Sequence, residues 1–189
     1  DNMALTLRAV LDELDRLSAQ GDIDEIGRDE IVDSVARAAL LGARGNSGVI
    51  LSQLIRGAAE ELISRPGELV DPVLIGAAMA RASDRAYGSV REPAEGTILT
   101  VVREMAHLVA SEIAHMEAPR LIERVPHEQQ NEMIAAVLEG ALASGEDSVK
   151  RGPDLLQVLR DAGVVDAGGY GLTIIFAGVI AALRGAEPP

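Results

Sequence analysis

Asn46 and Ser47 place an amide and a hydroxyl between two glycines, Gly45 and Gly48, and Arg44 adds a guanidinium just before them. Residues of these types suit an anion such as a phosphate. Hydroxyl and backbone N–H groups donate, the guanidinium supplies charge, and glycine leaves room for close approach. A second reading explains much of the same stretch: a C-cap glycine ends one helix, and Asn46 or Ser47 caps the next. Capping does not explain Gly48. A glycine inside a first turn costs about 1 kcal/mol against alanine and is tolerated where a ligand or another backbone comes close. Arg44 suits two roles, neutralising charge on a phosphoryl group or pairing with a surface acid.

Two further glycine-rich stretches share this character. In Glu95-Gly96-Thr97, the threonine either caps a helix or reaches a phosphate. In Asp166-Ala167-Gly168-Gly169-Tyr170-Gly171, the aspartate is a good N-cap or an acceptor for a ligand, and three glycines in six residues are poor economy for a helix start. Asp1-Asn2 forms a fourth such start. All four are candidate anion sites, because helix N-termini carry unsatisfied donors and the positive end of the dipole.

Other chemistry is thinly represented. The acidic runs Asp12-Glu13-Asp15 and Asp22-Asp24-Glu25 flank an apolar stripe, without the spacing of a metal loop, and read as solvated helix faces. His107, His115 and His127 are scattered and have no Ser or Cys partner in view, so surface or structural roles are expected. Tyr170, one of few aromatic residues, could stack on a base, but packing in the core or at its rim is expected. No cysteine is present, which excludes disulfides, thiolate metal sites and a cysteine nucleophile.

These residues need elements to hold them, and helical periodicity runs through nearly the whole chain. Leu7, Val10, Leu11, Leu14 and Leu17 share one face. Further helices are expected over 27–42 and 47–64, then from Asp71-Pro72, from Gly96-Thr97 to about 116, and from Pro126 to near Gly152. A short helix from Pro153-Asp154 stopped by Gly163, and a last one over 168–183, complete the set. No strand is expected: Val164-Val165 is too short and alternation is missing elsewhere. Short loops imply antiparallel neighbours. The fold class is therefore all-α, a bundle or barrel of about eight antiparallel amphipathic helices, in a single domain over 1–189.

Composition sets the outer bounds. The 189 residues suffice for a sizeable core, and a hydrophobic content of 48% argues against disorder. The net charge of −13 opposes nucleic-acid binding. Of 17 basic residues only Lys150 is lysine, and no Gly-Lys pair exists, so a P-loop is excluded. The longest apolar run, 172–183, is 12 residues, too short to cross a bilayer, and reads as a buried core helix. The expectation is a cytoplasmic protein without a membrane span. The abrupt start at Asp1-Asn2-Met3 reads as that of a fragment.

Taken in order, "NMALTLRAV" at 2–10, "GARGNSGVILSQLIRG" at 42–57, "EPAEGTILTVVRE" at 92–104 and "AGVVDAGGYGL" at 162–172 closely resemble the nucleotide-binding L-domain of dihydroxyacetone kinases. Within that family the N-terminal domain of bacterial fatty acid kinase A-type proteins is the most similar branch. The resemblance covers essentially the whole chain. It implies a barrel of eight antiparallel helices with ATP at one end. The loop matching Asn46-Ser47-Gly48, together with Gly45, would wrap the phosphates. Residues matching Asn2, Thr97, Asp166, Ala167 and Gly168 would line the same site, with Arg44 as the candidate catalytic group.

The resemblance further implies two Mg²⁺ ions held by three aspartates in a segment immediately before the match to Asn2-Met3. That segment is not in this sequence. Asp1 falls on a variable position, so no metal ligand is expected among these residues, and the fragment alone is expected to be inactive. The implied reaction transfers the ATP γ-phosphoryl group to a fatty acid carboxylate presented by a separate acyl-binding protein. The alternatives are glycerone phosphorylation with a dihydroxyacetone-carrying subunit, or a non-catalytic helical module that binds nucleotide or a partner. Further domains of the same full-length chain, and a homodimer, belong to this expectation.

Overall fold

The computed structural model describes residues 2–67 and 69–187. Asp1, considered above as part of a helix-start site, lies outside the described residues. Eight α-helices and one 3₁₀ turn account for the described secondary structure, with no strand among those residues. The all-helical expectation holds. No described helix is long and apolar enough to cross a membrane.

The chain divides into two compact units, one of residues 1–68 and 81–91, the other of 69–80 and 92–189. The first holds α1 (Asn2–Gln20), the 3₁₀ turn (Ile23–Glu25), α2 (Arg28–Gly42) and α3 (Gly45–Ser64). α4 (Pro72–Gly88) begins in the second unit and ends in the first. The second unit also contains α5 (Ile98–His115), α6 (His127–Leu155), α7 (Gln157–Ala162) and α8 (Ala167–Leu183).

In the first unit, α1 buries Met3, Thr6, Val10 and Leu17, the i, i+3, i+7 spacing of a single helical stripe. The end of α2 returns to the start of α1, where Gly42 lies against Ala9. The start of α2 meets the end of α3, where the Arg28 guanidinium donates to the Arg65 carbonyl at 2.7 Å. Sequential helices here are therefore antiparallel, as short loops require, and α1 and α3 run parallel with their N-termini together. Gly57 permits a close backbone crossing: a Cβ there would lie 2.6 Å from the Arg81 carbonyl oxygen and 2.8 Å from the Ala82 Cα.

The second unit repeats the arrangement. The lead-in to α5 crosses the end of α6, where a Cβ on Gly96 would lie 2.7 Å from the Gly152 carbonyl oxygen. Gly96 also has φ +84°, a conformation that glycine adopts without strain. Near its other end α5 crosses the middle of α6, where Glu112 lies over Gly140. α8 runs antiparallel to α6. Gly169 lies beside Val149 at one end, and Arg184 pairs with Glu132 and Glu139 at the other. Asp71 secures the α4 start, accepting from Leu74 N at 2.8 Å and from Leu121 N at 2.9 Å.

Three boundaries differ from expectation. α6 does not stop at Gly152 but runs through Pro153 to Leu155, and α7 starts only at Gln157. Proline removes one donor, yet Leu156 N still bonds Gly152 O at 2.9 Å and closes the last turn. α3 starts at Gly45 rather than 47. The acidic run at 22–25 lies on the 3₁₀ turn instead of a helix face, with the Asp22 carboxylate accepting from Asp24 N at 3.0 Å.

α8 is also less buried than its apolar sequence implies. Leu172, Thr173 and Ile180 are buried, but Tyr170, Ile174 and Val179 are exposed. The expectation of a fully buried core helix is thus corrected to a helix with one buried face, and Tyr170 is largely solvent-facing.

Candidate functional site

The start of α3 is built by α1. Thr6 is fully buried, and its Oγ1 donates to Asn2 O at 2.9 Å while accepting from Arg44 N at 3.3 Å. This hydroxyl joins the first turn of α1 to the residue before α3. Gly45 then turns with φ +62°, its Cα facing the Asn2 side chain so closely that a Cβ would overlap it. A Cβ on Gly48 would lie 2.5 Å from Thr6 Oγ1 and 3.4 Å from Asn2 O. The close approach that Gly48 permits is thus that of α1.

The caps expected from Asn46 or Ser47 are absent. Arg44 occupies the N-cap position in extended conformation, and no side chain accepts a hydrogen bond from the first turn. Asn46 is exposed, Ser47 is half-buried, and neither side chain has a partner among the described residues. Several backbone donors of this turn therefore face outward beside a free amide and a free hydroxyl. Arg44 pairs with no acid among the described residues. Its Nη1 donates to Ala43 O at 2.9 Å and Leu41 O at 3.4 Å, where the C-terminal carbonyls of α2 carry partial negative charge. The guanidinium is exposed beside the loop. The structure thus brings Asn2, Arg44, Gly45, Asn46, Ser47 and Gly48 together in the first unit.

Thr97, Asp166, Ala167 and Gly168 are gathered in the second unit, and there capping is realised. Thr97 caps α5: its hydroxyl accepts from Leu99 N at 3.4 Å and donates to Ala94 O at 2.7 Å. Asp166 caps α8, with Oδ2 accepting from Gly169 N at 2.8 Å. The same oxygen accepts from Ile98 N, also at 2.8 Å, so one carboxylate oxygen ties the starts of α5 and α8. The glycines serve that junction. Gly168 faces Ile98, and a Cβ on Gly169 would lie 3.0 Å from Val101 Cγ2. Behind it, Gly96 N donates to Thr100 Oγ1 at 2.9 Å, Thr100 donates to Glu95, and Glu95 pairs with Arg103 at 2.7 Å.

Sequence reasoning missed Thr6. The available signal was its register: a hydroxyl one turn after Asn2, on the same stripe as Met3, Val10 and Leu17. It also missed that Asp166 acts across 68 residues on α5, which no local pattern encodes. The three histidines are exposed, in line with surface roles.

No group of three or more His, Asp or Glu among the described residues is placed to hold a metal ion. Several glutamates are instead engaged by arginines. Glu60 is the clearest case, bonded by Arg56, Arg81 and Arg85, and the Arg85 hydrogen bond holds its carboxyl below the usual carboxylate range. These residues alone do not fit a two-magnesium cage.

A family model for the DAK2 domain matches residues 1–181. Protein YloV of Bacillus subtilis is 35% identical over 188 residues, covering 100% of this chain and 30% of its own length. An uncharacterized protein of Staphylococcus saprophyticus is 36% identical over 184 residues, 97% of this chain and 29% of its own length. The chain therefore spans less than a third of the length of these relatives. With a match across both units and uncapped donors at the α3 start, the chain belongs to the DAK2 domain family, the nucleotide-binding module of dihydroxyacetone kinase type.

Proposed function

We propose that the α3 start binds the phosphates of ATP, and that the domain serves an ATP-dependent phosphotransferase of the fatty acid kinase type. One observation carries this reading. Of the three glycine-rich helix starts among the described residues, only that of α3 has no side-chain cap, while those of α5 and α8 satisfy theirs internally. Phosphate oxygens would take the place of the missing cap, accepting from the backbone N–H groups of Gly45, Asn46 and Ser47. The amide of Asn46, the hydroxyl of Ser47 and the amide of Asn2 add neutral donors. Gly48 keeps α1 close enough for Asn2 to share the site.

Phosphoryl transfer depends on positioning and charge neutralisation more than on covalent catalysis. Arg44 is the cation beside the loop, and its anchoring on α2 carbonyls leaves the rest of the guanidinium free to meet developing charge on the transferred group. Mg²⁺ is part of this proposal only through the family resemblance. The described residues supply no metal cage.

The proposed acceptor is a fatty acid carboxylate held by a separate acyl-binding protein, giving an acyl phosphate. The test is an ADP-release assay on the full-length protein, with fatty acid plus an acyl-binding protein in one arm and dihydroxyacetone plus its carrier subunit in the other. ADP release in the first arm alone is expected. Release only in the second assigns the glycerone kinase reading, and ATP binding without turnover in either assigns a non-catalytic module.

A further inference from the structure

We infer that Thr6 is the positioning residue of the phosphate loop: its buried hydroxyl, shared between Asn2 O and Arg44 N, sets the geometry in which Gly45–Gly48 meet a phosphate. The inference rests on the nucleotide reading above and deepens it.

A threonine inside a helix commonly bonds back to the carbonyl four residues earlier, and Thr6 does so with Asn2 at 2.9 Å. That bond alone orients the hydroxyl proton. With the proton committed, the oxygen is left as an acceptor, and it accepts from Arg44 N at 3.3 Å, 38 residues further on. Arg44 N is the donor just before the uncapped turn. Its bond to Thr6 ties the loop to α1 immediately before the amides of Gly45, Asn46 and Ser47.

Two glycines show how tightly the hydroxyl governs the loop. Gly48 has space for no side chain because Thr6 Oγ1 stands 2.5 Å from where a Cβ would be. Gly45 adopts φ +62° against the Asn2 side chain, whose residue supplies the carbonyl that Thr6 holds. Thr6 is 0% exposed, so it touches no ligand itself. Its effect on a phosphate passes entirely through Arg44, Gly45 and Gly48.

Thr6→Val keeps the shape and removes both hydrogen bonds, whereas Thr6→Ser keeps both and removes a methyl group. The experiment compares ATP affinity by calorimetry, and exchange of the Arg44 amide by hydrogen–deuterium mass spectrometry, in the full-length protein and its T6V, T6S and V10A variants. Val10 is buried on the same helix face one turn beyond Thr6 and bonds to no residue of the loop, so V10A controls for loss of stability alone. The expected result is an approximately tenfold weaker ATP affinity and faster Arg44 exchange in T6V, with both restored in T6S and affinity unchanged in V10A. Parent-like affinity in T6V overturns the inference while leaving the nucleotide reading intact. Equal losses in T6V and V10A also overturn it, since they reduce Thr6 to a packing residue. A full-length parent protein that binds no ATP overturns both.

Discussion

Asp166 Oδ2 lies 2.8 Å from Ile98 N, a bond across 68 residues that makes one side chain the cap of two helices. A residue whose local sequence suits a ligand contact is thereby committed to the architecture of the second unit. Asp166→Ala would leave two backbone donors without their acceptor, and its expected cost is about 2 kcal/mol of stability, from the usual range for caps and charge-assisted bonds. Asp166→Asn retains an acceptor oxygen and should recover about half. Urea unfolding measures both, and a D166A midpoint equal to the parent would refute the double cap.

Ser47→Ala should separate the two units' helix starts. Its hydroxyl has no partner among the described residues, so stability should change by less than about 0.5 kcal/mol. A lost hydrogen bond to a charged oxygen corresponds to about 1.5–3 kcal/mol, or roughly a 10- to 100-fold weaker ATP affinity. Calorimetry with ATP decides the matter. Unchanged affinity removes Ser47 from the site.

Two glycine substitutions should move stability in opposite directions. Gly57→Ala places a methyl group against the α4 backbone, 2.6 Å from Arg81 O, where nothing flexible can yield. A loss of about 1–3 kcal/mol is expected. Gly178 lies in the interior of α8, and a methyl group added there would meet nothing within 4 Å. Gly178→Ala should gain about 0.5–1 kcal/mol through helix propensity. Thermal melts of the two variants should bracket the parent.

Glu60 should shape the acid limb of stability. Its carboxyl is held below the usual range chiefly by the Arg85 hydrogen bond, so the folded state binds its proton less readily than the unfolded chain. That contribution is complete above the ordinary glutamate value of about 4.3 and is lost as pH falls through the lower folded value. Glu60→Gln should therefore flatten the pH dependence of unfolding below about pH 4.3 relative to the parent. A parallel acid limb would show that the arginine cluster contributes nothing. The partners are part-exposed, so salt should weaken the effect.

Helix number and most boundaries were legible because they depend on local periodicity and caps. Val10 and Leu17 of the expected α1 stripe and the Pro72 start are of this kind, whereas Leu11, expected on that stripe, is exposed. The α6 terminus was not, because Pro153 ordinarily marks a helix start, and only the bond from Leu156 N to Gly152 O shows that the turn continues. The candidate site was legible as a set of glycine-rich helix starts. What sequence could not show is which starts satisfy themselves. That depends on Asp166 reaching Ile98 and on Thr6 reaching Arg44, both set by tertiary packing. Gly48 is the sharpest case: its need for space was readable, but the occupant is Thr6 on α1.

The ion pairs among these helices draw almost entirely on arginine, with 16 of the 17 basic residues of that type. Around Glu60, Glu104, Glu132 and Glu139 every cation is a guanidinium. Guanidinium groups do not lose their proton in water at any pH a protein survives. Alkali therefore cannot dismantle these clusters by discharging their positive members, as it would a lysine-based surface. The two ends of the pH scale act on this molecule unequally: acid attacks the carboxylate partners, and base finds little to titrate.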